Sequence, residues 1–289
     1  MLRRLTLICL FTALVFVAAR SQSLAVRELA PGVYFWQGDH VRKVPANCTW
    51  IVFKDYVLVI DANFPEAAKE ILGEIRKTTG KPIRFLFDTH WHADHTAANN
   101  MYREAGATVF CSQACSEELR QPLPNGKPAG PEPPAMAFAE RMEFDDGRRR
   151  VEITRMGPAH SKGDAVAYLP REKILVAGDL CVNWNWGNNV GDPNADFDNW
   201  IRALDTLSQW DVATVVPGHG SLSTTATLRA QRAYLADMQQ KVRAGLKAGK
   251  TAEQLSSEID LSKHGSFGAN AQQNAGSIRG MCRRLAGSR

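Results

Sequence analysis

Residues 89–95 read Thr-His-Trp-His-Ala-Asp-His, which places three histidines and an aspartate within six residues. The segment directly follows residues 83–87, an apolar run that predicts a buried strand, so it lies on a loop leaving a sheet. Functional side chains of open α/β sheets collect at such strand ends. Imidazole nitrogens and carboxylate oxygens at this spacing suit zinc or a similar first-row ion. The stretch therefore predicts a metal site.

Three more candidate ligands also follow apolar strands. His160 lies in a Gly-Pro-Ala-His-Ser turn, and Asp179 follows the predicted strand 173–177 through a glycine. His219 lies in a Pro-Gly-His-Gly turn directly after the predicted strand 214–216. Glycine near each residue lets the backbone approach an ion closely. Five of the seven histidines and two aspartates are therefore expected at strand ends around one metal site.

The order of predicted elements indicates an α/β protein. Apolar strands alternate with amphipathic helices, which favours helices layered against sheets. Predicted strands cover 33–37, 50–53, 56–60, 83–87, 108–111, 150–154, 165–169, 173–177 and 214–216, and predicted helices cover 65–79, 99–105, 197–207, 225–248 and 252–259. No short repeat is found, so residues 22–289 are predicted to form a single domain. Prolines make 121–134 a surface excursion, and a basic, Gly- and Asn-rich tail is expected at the C terminus.

The first 21 residues read as a signal peptide. Arg3 and Arg4 precede an apolar run of 15 residues that ends at Ala19, and Ser21 supplies a small residue for cleavage. Since about 20 apolar residues are needed to span a bilayer, no stable membrane anchor is expected. The protein is therefore expected to be periplasmic or secreted. Cleavage removes three arginines from the 35 basic residues and leaves 32 against 30 acidic ones, which predicts no nucleic-acid partner.

Cysteine usage excludes a disulfide scaffold. The chain holds six cysteines, and five remain once Cys9 leaves with the predicted signal peptide. An odd number at irregular spacing in a long chain fits neither a disulfide framework nor a zinc knuckle. Buried, inert thiols are therefore the expected state of most of these residues, and they are not expected to carry the function.

The four motifs together resemble the metallo-β-lactamase superfamily. His-x-His-x-Asp-His, Gly-Pro-x-His-Ser, a strand-end aspartate and Pro-Gly-His-Gly follow one another in the family's order between residues 90 and 220. The resemblance implies a four-layer αβ/βα sandwich, the metallo-β-lactamase fold, with two zinc ions in a groove at one sheet edge. It also implies a hydrolase whose metal-bound hydroxide attacks an acyl carbon and whose substrate is a small molecule.

The same resemblance assigns the metal ligands residue by residue. It implies that the first zinc is held by His90, His92 and His160, the second by Asp94, His95 and His219, and that Asp179 bridges both. A shared carboxylate would relieve the repulsion between two divalent ions a few Å apart. Asp94 is also the expected catalytic residue, since it would orient the attacking hydroxide as well as hold the second ion.

The substrate is left open between several classes. Secreted class B β-lactamases usually have a cysteine where Asp179 stands and often a lysine where this chain has Val182. A bridging aspartate is instead similar to glyoxalase II and lactonases, so an ester, thioester, lactone or lactam is the expected bond. A class B β-lactamase proper is the alternative. A non-catalytic periplasmic metal-binding accessory protein is an alternative of another class, and an iron protein on the same fold is a third.

Aromatic residues after the Asp179 strand are candidates for the substrate pocket. Trp184, Trp186 and Asn189 lie in a Trp-Asn-Trp-Gly-Asn-Asn segment that is expected near the groove. The two tryptophans would wall the pocket, and the asparagine amide would assist the oxyanion; burial of both tryptophans in the core is the other interpretation. Residues 38–45 are expected to form a loop over the groove or a solvated turn.

Overall fold

The structure is a computed structural model that describes residues 26–122, 132–184 and 190–287. The predicted signal peptide, most of the Pro-rich excursion and residues 185–189 lie outside these ranges. The described strands form two sheets. The first sheet has the order β1-β2-β3-β4-β5-β6-β7, with strands β1 Arg27–Ala30, β2 Val33–Trp36, β3 Cys48–Val52, β4 Val57–Ile60, β5 Ile83–Phe87, β6 Thr108–Ser112 and β7 Met136–Phe138.

The second sheet has five strands in the order β12-β11-β10-β9-β8. These are β8 Arg141–Asp145, β9 Arg150–Arg155, β10 Ala165–Leu169, β11 Ile174–Val176 and β12 Thr214–Val216. Strands β8 to β11 pair antiparallel, whereas β11 and β12 pair parallel. In the first sheet, β4, β5, β6 and β7 are parallel neighbours. Both sheets therefore contain parallel strands whose carboxyl ends reach one edge, which is where ligand loops belong.

Helices cover the outer face of each sheet. They are α1 Pro65–Thr78, α2 Ala93–Thr96, α3 Asn99–Glu104, α4 Gln113–Arg120, α5 Phe197–Leu207, α6 Thr225–Lys247, α7 Ala252–Glu258 and α8 Ala271–Ala286. Two 3₁₀ turns, Gly178–Leu180 and Ser262–Phe267, complete the described elements. None of these helices combines the length and apolar character needed to cross a bilayer.

Strand β4 explains the layering because all four of its residues are buried. Successive side chains of a strand point to opposite faces. Val57 and Val59 pack with α1 on the outer face, whereas Leu58 and Ile60 pack between the sheets with aromatic residues such as Phe87 and Phe110. Each such burial stabilises the fold by about 1.5–3 kcal/mol. An apolar cluster on the far side joins the second sheet to α5, α6 and α8, which completes the predicted four-layer αβ/βα sandwich.

The C terminus differs from the sequence prediction. Residues 271–286 form α8, where the composition predicted a Gly- and Asn-rich tail. Asn270 caps this helix by accepting a hydrogen bond from the Gln273 backbone N–H at 3.0 Å. Ile278 and Met281 are fully buried against the second sheet's helices. The apolar spacing within α8 outweighs the low helix propensity of its two glycines.

Candidate metal centre

The predicted ligand motif changes from extended to helical backbone in its middle. His92 has extended backbone angles, φ −60° and ψ 146°, and is the N-cap residue of α2. Its carbonyl oxygen accepts hydrogen bonds from the backbone N–H groups of His95 and Thr96, at 3.0 and 3.1 Å. The change of conformation separates the four predicted ligands into two pairs, His90 with His92 and Asp94 with His95.

The first group consists of His90, His92, His160 and Asp179, whose ligand atoms all lie within 4.8 Å of one another. Nδ1 of His92 lies 3.1 Å from Nε2 of His90 and 3.0 Å from Nε2 of His160. Oδ2 of Asp179 lies 3.5 Å from Nε2 of His160 and 3.9 Å from Nε2 of His90. Three imidazole nitrogens and one carboxylate oxygen thus face a common point.

The second group consists of Asp94, His95 and His219, which also converge within 4.8 Å. Nε2 of His219 lies 3.4 Å from Nε2 of His95 and 3.3 Å from Oδ2 of Asp94. Oδ1 of Asp179 lies 3.1 Å from Nε2 of His219 and 3.3 Å from Nε2 of His95. Asp179 therefore lies between the two groups, although the ligand role of each of the seven residues stays a prediction.

A glycine sets the distance between Asp179 and His219. Gly218 donates its backbone N–H to the carbonyl oxygens of Gly178 and Cys181, both at 2.9 Å, so the turn after β12 packs directly on the turn after β11. An added Cβ at Gly218 would overlap Oδ1 of Asp179. The Pro-Gly-His-Gly sequence therefore has a steric reason, because a larger residue would displace the carboxylate.

Asp61 holds His95 from behind, although it was not among the predicted site residues. Oδ2 of Asp61 lies 2.8 Å from Nδ1 of His95, so the ring donates its N–H outward and turns Nε2 toward the second group. Asp61 also accepts hydrogen bonds from the backbone N–H and the hydroxyl of Thr89, at 2.8 and 3.0 Å. A signal did exist, since Asp61 directly follows an apolar strand as the predicted ligands do.

Asp192 holds His92 in the same way and was also missed. Its Oδ2 lies 2.8 Å from Nε2 of His92 and accepts a hydrogen bond from Nε1 of Trp91 at 3.1 Å. The outward N–H of His92 leaves Nδ1 to face the first group. Asp192 lies in a Gly-Asp-Pro-Asn turn, where aspartate is common for purely local reasons, so the sequence held no signal for this role.

Two more histidines have outward hydrogen-bond partners. Nδ1 of His219 lies 2.9 Å from the carbonyl oxygen of Pro45, and Nδ1 of His90 lies 3.1 Å from the Thr89 hydroxyl. Since the hydroxyl donates to Asp61, it accepts from His90. Nδ1 of His160 has no hydrogen-bond partner within the described ranges. Four of the five rings are thus fixed with a lone pair facing inward.

The donor set fits a divalent cation. Ligand nitrogens at about 2.0–2.1 Å from a tetrahedral zinc lie about 3.3 Å apart, and the closest nitrogen pairs here lie at 3.0, 3.1 and 3.4 Å. With outward nitrogens protonated, the inward lone pairs repel one another unless a cation lies between them. Nitrogen and carboxylate oxygen together match zinc and similar first-row ions. The structure therefore contains a His/Asp metal-binding cluster.

Burial and charge act differently on the histidines of the two groups. Burial lowers the pKa of His90 well below its ordinary value and lowers the pKa of His160 to about 4, with nearby histidines adding to both effects. Burial also lowers the pKa of His95 and of His219, but neighbouring carboxylates outweigh burial and raise both pKa values. The main carboxylates are Asp61 and Asp179 for His95, and Asp179 for His219. His90 and His160 of the first group are therefore held neutral, whereas the carboxylates around His95 and His219 favour positive charge in the second group.

The histidine neighbours also explain the charge of Asp179. Burial raises the pKa of this carboxyl, but His219 and His95 outweigh burial and hold the pKa well below its ordinary value. Asp179 is therefore ionised across the neutral range and available to a cation. The side chain of Asp94 is 23 % exposed against 6 % for Asp179, so Asp94 is the carboxylate that faces the opening of the site.

One predicted substrate residue is described, and it touches the cluster. Trp184 is half-buried and stacks on the ring of His219, with ring centroids 4.4 Å apart and planes 18° apart. The exposed ring of His40 meets Trp184 edge-on at 5.5 Å, so residues 38–45 approach the cluster. Trp186 and Asn189 lie outside the described residues. The expected inert thiol at Cys181 is fully buried, and burial raises its pKa.

The chain is similar to several known proteins. A curated relative, the metallo-β-lactamase type 2 of Elizabethkingia meningoseptica, is 22 % identical over 205 residues, which cover 70 % of this chain and 80 % of that protein. Among solved structures, a metallo-β-lactamase from Pontibacter korlensis has a TM-score of 0.62 and 25 % identity, over 74 % of this chain and 99 % of its own. The sec-alkyl sulfatase PisA1 has a TM-score of 0.70 at 16 % identity, over 91 % of this chain and 50 % of its own, and shares the fold.

The family model of the metallo-β-lactamase superfamily matches residues 41–219, more than half of the chain. The matched region includes both groups of the cluster and ends at His219. The predicted fold class and the predicted family are thus confirmed. A His/Asp metal-binding cluster on this fold belongs with metallo-hydrolase chemistry. The chain belongs to the metallo-β-lactamase superfamily and is a metallo-hydrolase.

Proposed function

We propose that the protein is a dinuclear zinc hydrolase of acyl bonds in a small molecule: an ester, thioester, lactone or lactam. The observation that carries the proposal is the position of Asp179. Its Oδ2 lies 3.5 and 3.9 Å from Nε2 of His160 and His90 in the first group and also 3.2 Å from Nε2 of His219. Its Oδ1 lies 3.1 and 3.3 Å from Nε2 of His219 and His95, so one carboxylate reaches both groups. A protein that only stored one ion would have no use for a second convergent group with a shared carboxylate.

The residues divide the work of hydrolysis between them. The first ion would be held by His90, His92 and His160, the second by Asp94, His95 and His219, and Asp179 would serve both. When bound, the cations supply Lewis acidity and a water that ionises near neutral pH. Asp94 is the more exposed carboxylate of the cluster, so it would orient the attacking water and accept its hydrogen bond. Asp61 and Asp192 keep the imidazole lone pairs aimed inward through the reaction.

A class B β-lactamase proper is the second candidate. The named relatives in Elizabethkingia meningoseptica and Pontibacter korlensis are metallo-β-lactamases, which favours a lactam substrate. Asp179 and Val182 favour the other acyl bonds, because this chain has neither the cysteine nor the lysine that secreted class B enzymes usually have at these positions. Lactam and ester substrates therefore need to be tested side by side.

The proposal includes an aromatic wall of the substrate pocket, formed by Trp184 and Trp186. Trp184 covers one face of His219 and contacts His40, so its ring borders the second group. An apolar ring at this point shields one side of a substrate from water while the acyl carbon faces the cluster. Trp186 and Asn189 follow within five residues and are proposed to extend the wall and to assist the oxyanion.

The proposal is tested by a hydrolysis panel run against measured metal content. The purified protein is assayed on esters, thioesters, lactones, β-lactams and phosphoesters, with zinc and iron quantified in the same sample. We expect about two zinc ions per chain and turnover of an acyl substrate. A fully loaded protein that is inert on the entire panel would support the non-catalytic accessory protein instead. Iron in place of zinc would support the oxygen- or sulfur-chemistry alternative.

We also propose that the protein is exported. Arg3, Arg4, the apolar run and Ser21 form a signal-peptide pattern, and cleavage after Ser21 would leave residues 22–289. N-terminal sequencing of the mature protein from a bacterial host, together with fractionation of periplasm and cytoplasm, tests this proposal. A cytoplasmic protein that keeps residues 1–21 contradicts it.

A further inference from the structure

Helix α4 lies behind the first group and takes no part in the site as described so far. It begins after Ser112, whose hydroxyl accepts a hydrogen bond from the backbone N–H of Cys115 at 3.1 Å and donates one to the carbonyl oxygen of Gly163 at 2.6 Å. An added Cβ at Gly163 would overlap the backbone nitrogen of Cys115. The first turn of α4 therefore packs directly against the turn that follows His160.

Glu118 makes the second connection to that turn. Its Oε1 accepts from the backbone N–H of Lys162 and its Oε2 from the backbone N–H of Gly163, both at 3.0 Å. Lys162 and Gly163 come two and three residues after His160. Hydrogen bonds between backbone N–H groups and a carboxylate are charge-assisted and fix the loop more firmly than neutral ones. The position of His160 thus depends on α4.

The same carboxylate reaches the loop that supports His92. Oε1 of Glu118 accepts a hydrogen bond from the Asn194 side chain at 3.1 Å. The backbone N–H of Asn194 in turn donates to Oδ1 of Asp192 at 2.7 Å, and Oδ2 of Asp192 holds His92. Glu118 is therefore connected to two ligands of the first group, through a different loop in each case.

Helix α4 also touches the segment between the first two ligands. Trp91 packs on an apolar cluster of Cys111, Cys115 and Leu119, of which the last two belong to α4. Trp91 stands between His90 and His92 in the chain. Both segments that supply the histidines of the first group, and the loop that supports His92, thus contact one helix. The described contacts of α4 include no ligand of the second group.

The surroundings of Glu118 set it apart from a structural ion pair. Glu118 is 5 % exposed, and no Lys or Arg side chain of the described residues forms an ion pair with it. Burial raises the pKa of Glu118 to about 7, although the hydrogen bond from the Lys162 backbone N–H lowers it. At pH 8 the carboxylate is ionised and all three of its neighbours donate to it. Burying a charge without a cation is costly, so its three donors must offset that cost.

We propose that Glu118 is a positioning residue that holds the histidines of the first group in their metal-binding geometry and leaves the second group unaffected. The inference rests on the two groups of the proposed function, each binding one ion. Glu118 touches neither ion nor substrate, and acts through the turn after His160 and through Asp192. Loss of its hydrogen bonds frees both loops, so the first group loses metal affinity while the overall fold stays intact.

The test measures zinc affinity at pH 8 by titrating metal-free protein against a chromophoric chelator. Glu118→Gln is placed in a His219→Ala background, which weakens the second group, and in a His160→Ala background, which weakens the first. The glutamine side chain has an NH₂ group in place of one carboxylate oxygen. This NH₂ group is itself a donor, so it cannot accept a hydrogen bond from the backbone N–H that it faces. We expect about a tenfold loss of affinity in the His219→Ala background and no change in the His160→Ala background.

The chain offers a matched control on the same helix. Glu117 is exposed and pairs with the Lys162 side chain at 2.6 Å, so Glu117→Gln removes an equal charge without touching the buried contacts. We expect it to leave zinc affinity unchanged in both backgrounds. If Glu118→Gln does not fold, Asn194→Ala removes only the connection to Asp192, and we expect a smaller loss confined to the first group.

Two results would overturn the inference: unchanged affinity in the His219→Ala background, or an equal loss in both backgrounds. Thermal unfolding of the metal-free variants separates a general loss of stability from the expected local effect. Because the experiment measures metal affinity and not hydrolysis, failure of the inference about Glu118 is distinct from failure of the proposed function. A protein that hydrolyses nothing in the panel, yet shows the expected affinity loss, contradicts the hydrolase and supports the role of Glu118.

Discussion

The two groups of the metal centre are built from the same kinds of ligand but are held in different ways. The first group depends on side chains from distant segments, with Asp192 behind His92 and Glu118 behind the turn of His160. The second group is held by residues at strand ends and by backbone, with Asp61 behind His95 and the Pro45 carbonyl behind His219. The geometry of the first group therefore depends on how the loops pack, and the geometry of the second group depends on the strand ends at the sheet edge.

The electrostatics follow the same division. His90 and His160 of the first group have lowered pKa values because burial dominates, whereas His95 and His219 of the second have raised pKa values because carboxylates dominate. Neutral imidazoles bind a cation by directed lone pairs, so their affinity depends on geometry. A group surrounded by carboxylates attracts a cation over a longer range. One centre thus combines a site that relies on shape with a site that relies on charge.

Asp179→Ala removes the one ligand that both groups share, and we expect the largest effect of any single change. Both groups should lose metal, because the repulsion between two cations is no longer relieved. Hydrolysis should fall by roughly 10⁴-fold, the scale seen when a catalytic unit is dismantled. Metal content and turnover measure this together. Asp211→Asn, an exposed aspartate paired with Lys173, is the control. Full metal content in Asp179→Ala would contradict the bridging role.

Asp61→Ala and Asp192→Ala separate the two groups. Each should lower metal affinity by about 10–100-fold, as removal of a carboxylate behind a ligand histidine does. Asp192→Ala should act on the first group. Asp61→Ala should act mainly on the second, with a smaller effect on the first through the hydrogen bonds from Thr89. Zinc titration in the His219→Ala and His160→Ala backgrounds measures both. Equal losses at one and the same group would contradict the division.

These supporting residues mark the limit of prediction from sequence. The seven candidate ligands could be picked out because each has a local signal: a dense histidine motif, or a strand followed by glycine and a polar residue. Asp192 and Glu118 have none, because an aspartate in a turn and a glutamate in an amphipathic helix are the most ordinary residues at such places. Their roles exist only in the folded chain, because each lies far in sequence from the residue that it contacts, 100 positions for Asp192 and His92 and 44 for Glu118 and Lys162.

The prediction of helices and strands likewise depends on whether local or long-range contacts decide the structure. Strand β4 could be predicted since its pattern is local, whereas α8 could not, because Gly276, Gly280 and several polar residues argue for a loop. In the structure, an added Cβ at Gly280 would lie 2.9 Å from the Cα of Gly191, so the glycine permits close approach of α8 to that segment. Tertiary packing thus explains a residue whose local preference opposes the helix.

Trp184→Ala tests the aromatic wall beside the second group and should have a moderate effect. Loss of the ring should raise KM by up to about tenfold, which corresponds to about 1.4 kcal/mol, and leave kcat and metal content nearly unchanged. Steady-state kinetics on the best substrate of the panel measure this. Trp184→Phe retains an aromatic face toward His219 and should restore most of the affinity. Lost metal with unchanged KM would mean that Trp184 supports His219 and does not contact substrate.

The smallest effect concerns stability and a buried carboxyl on the side of the first group. Asp164 is 2 % exposed and accepts hydrogen bonds from the backbone N–H and the hydroxyl of Ser161, both at 2.8 Å. Burial, together with the charges of Asp192 and Asp179, outweighs the lowering effect of the Ser161 hydrogen bonds and raises the pKa of Asp164 from 3.8 to about 7. The folded protein therefore keeps a proton that the unfolded chain releases, and its stability falls as pH rises from about 4 to about 7.

Asp164→Asn keeps both contacts, because the amide oxygen accepts from the Ser161 N–H and the amide group donates to the hydroxyl, but it cannot ionise. We expect its stability advantage over the native protein to grow by about 1–3 kcal/mol between pH 5 and pH 8. Urea unfolding of both metal-free proteins measures this, and the histidines they share cancel in the difference. An advantage that shrinks with rising pH would mean that the ionised carboxylate is the favoured form. The first group would then rely on charge as the second does.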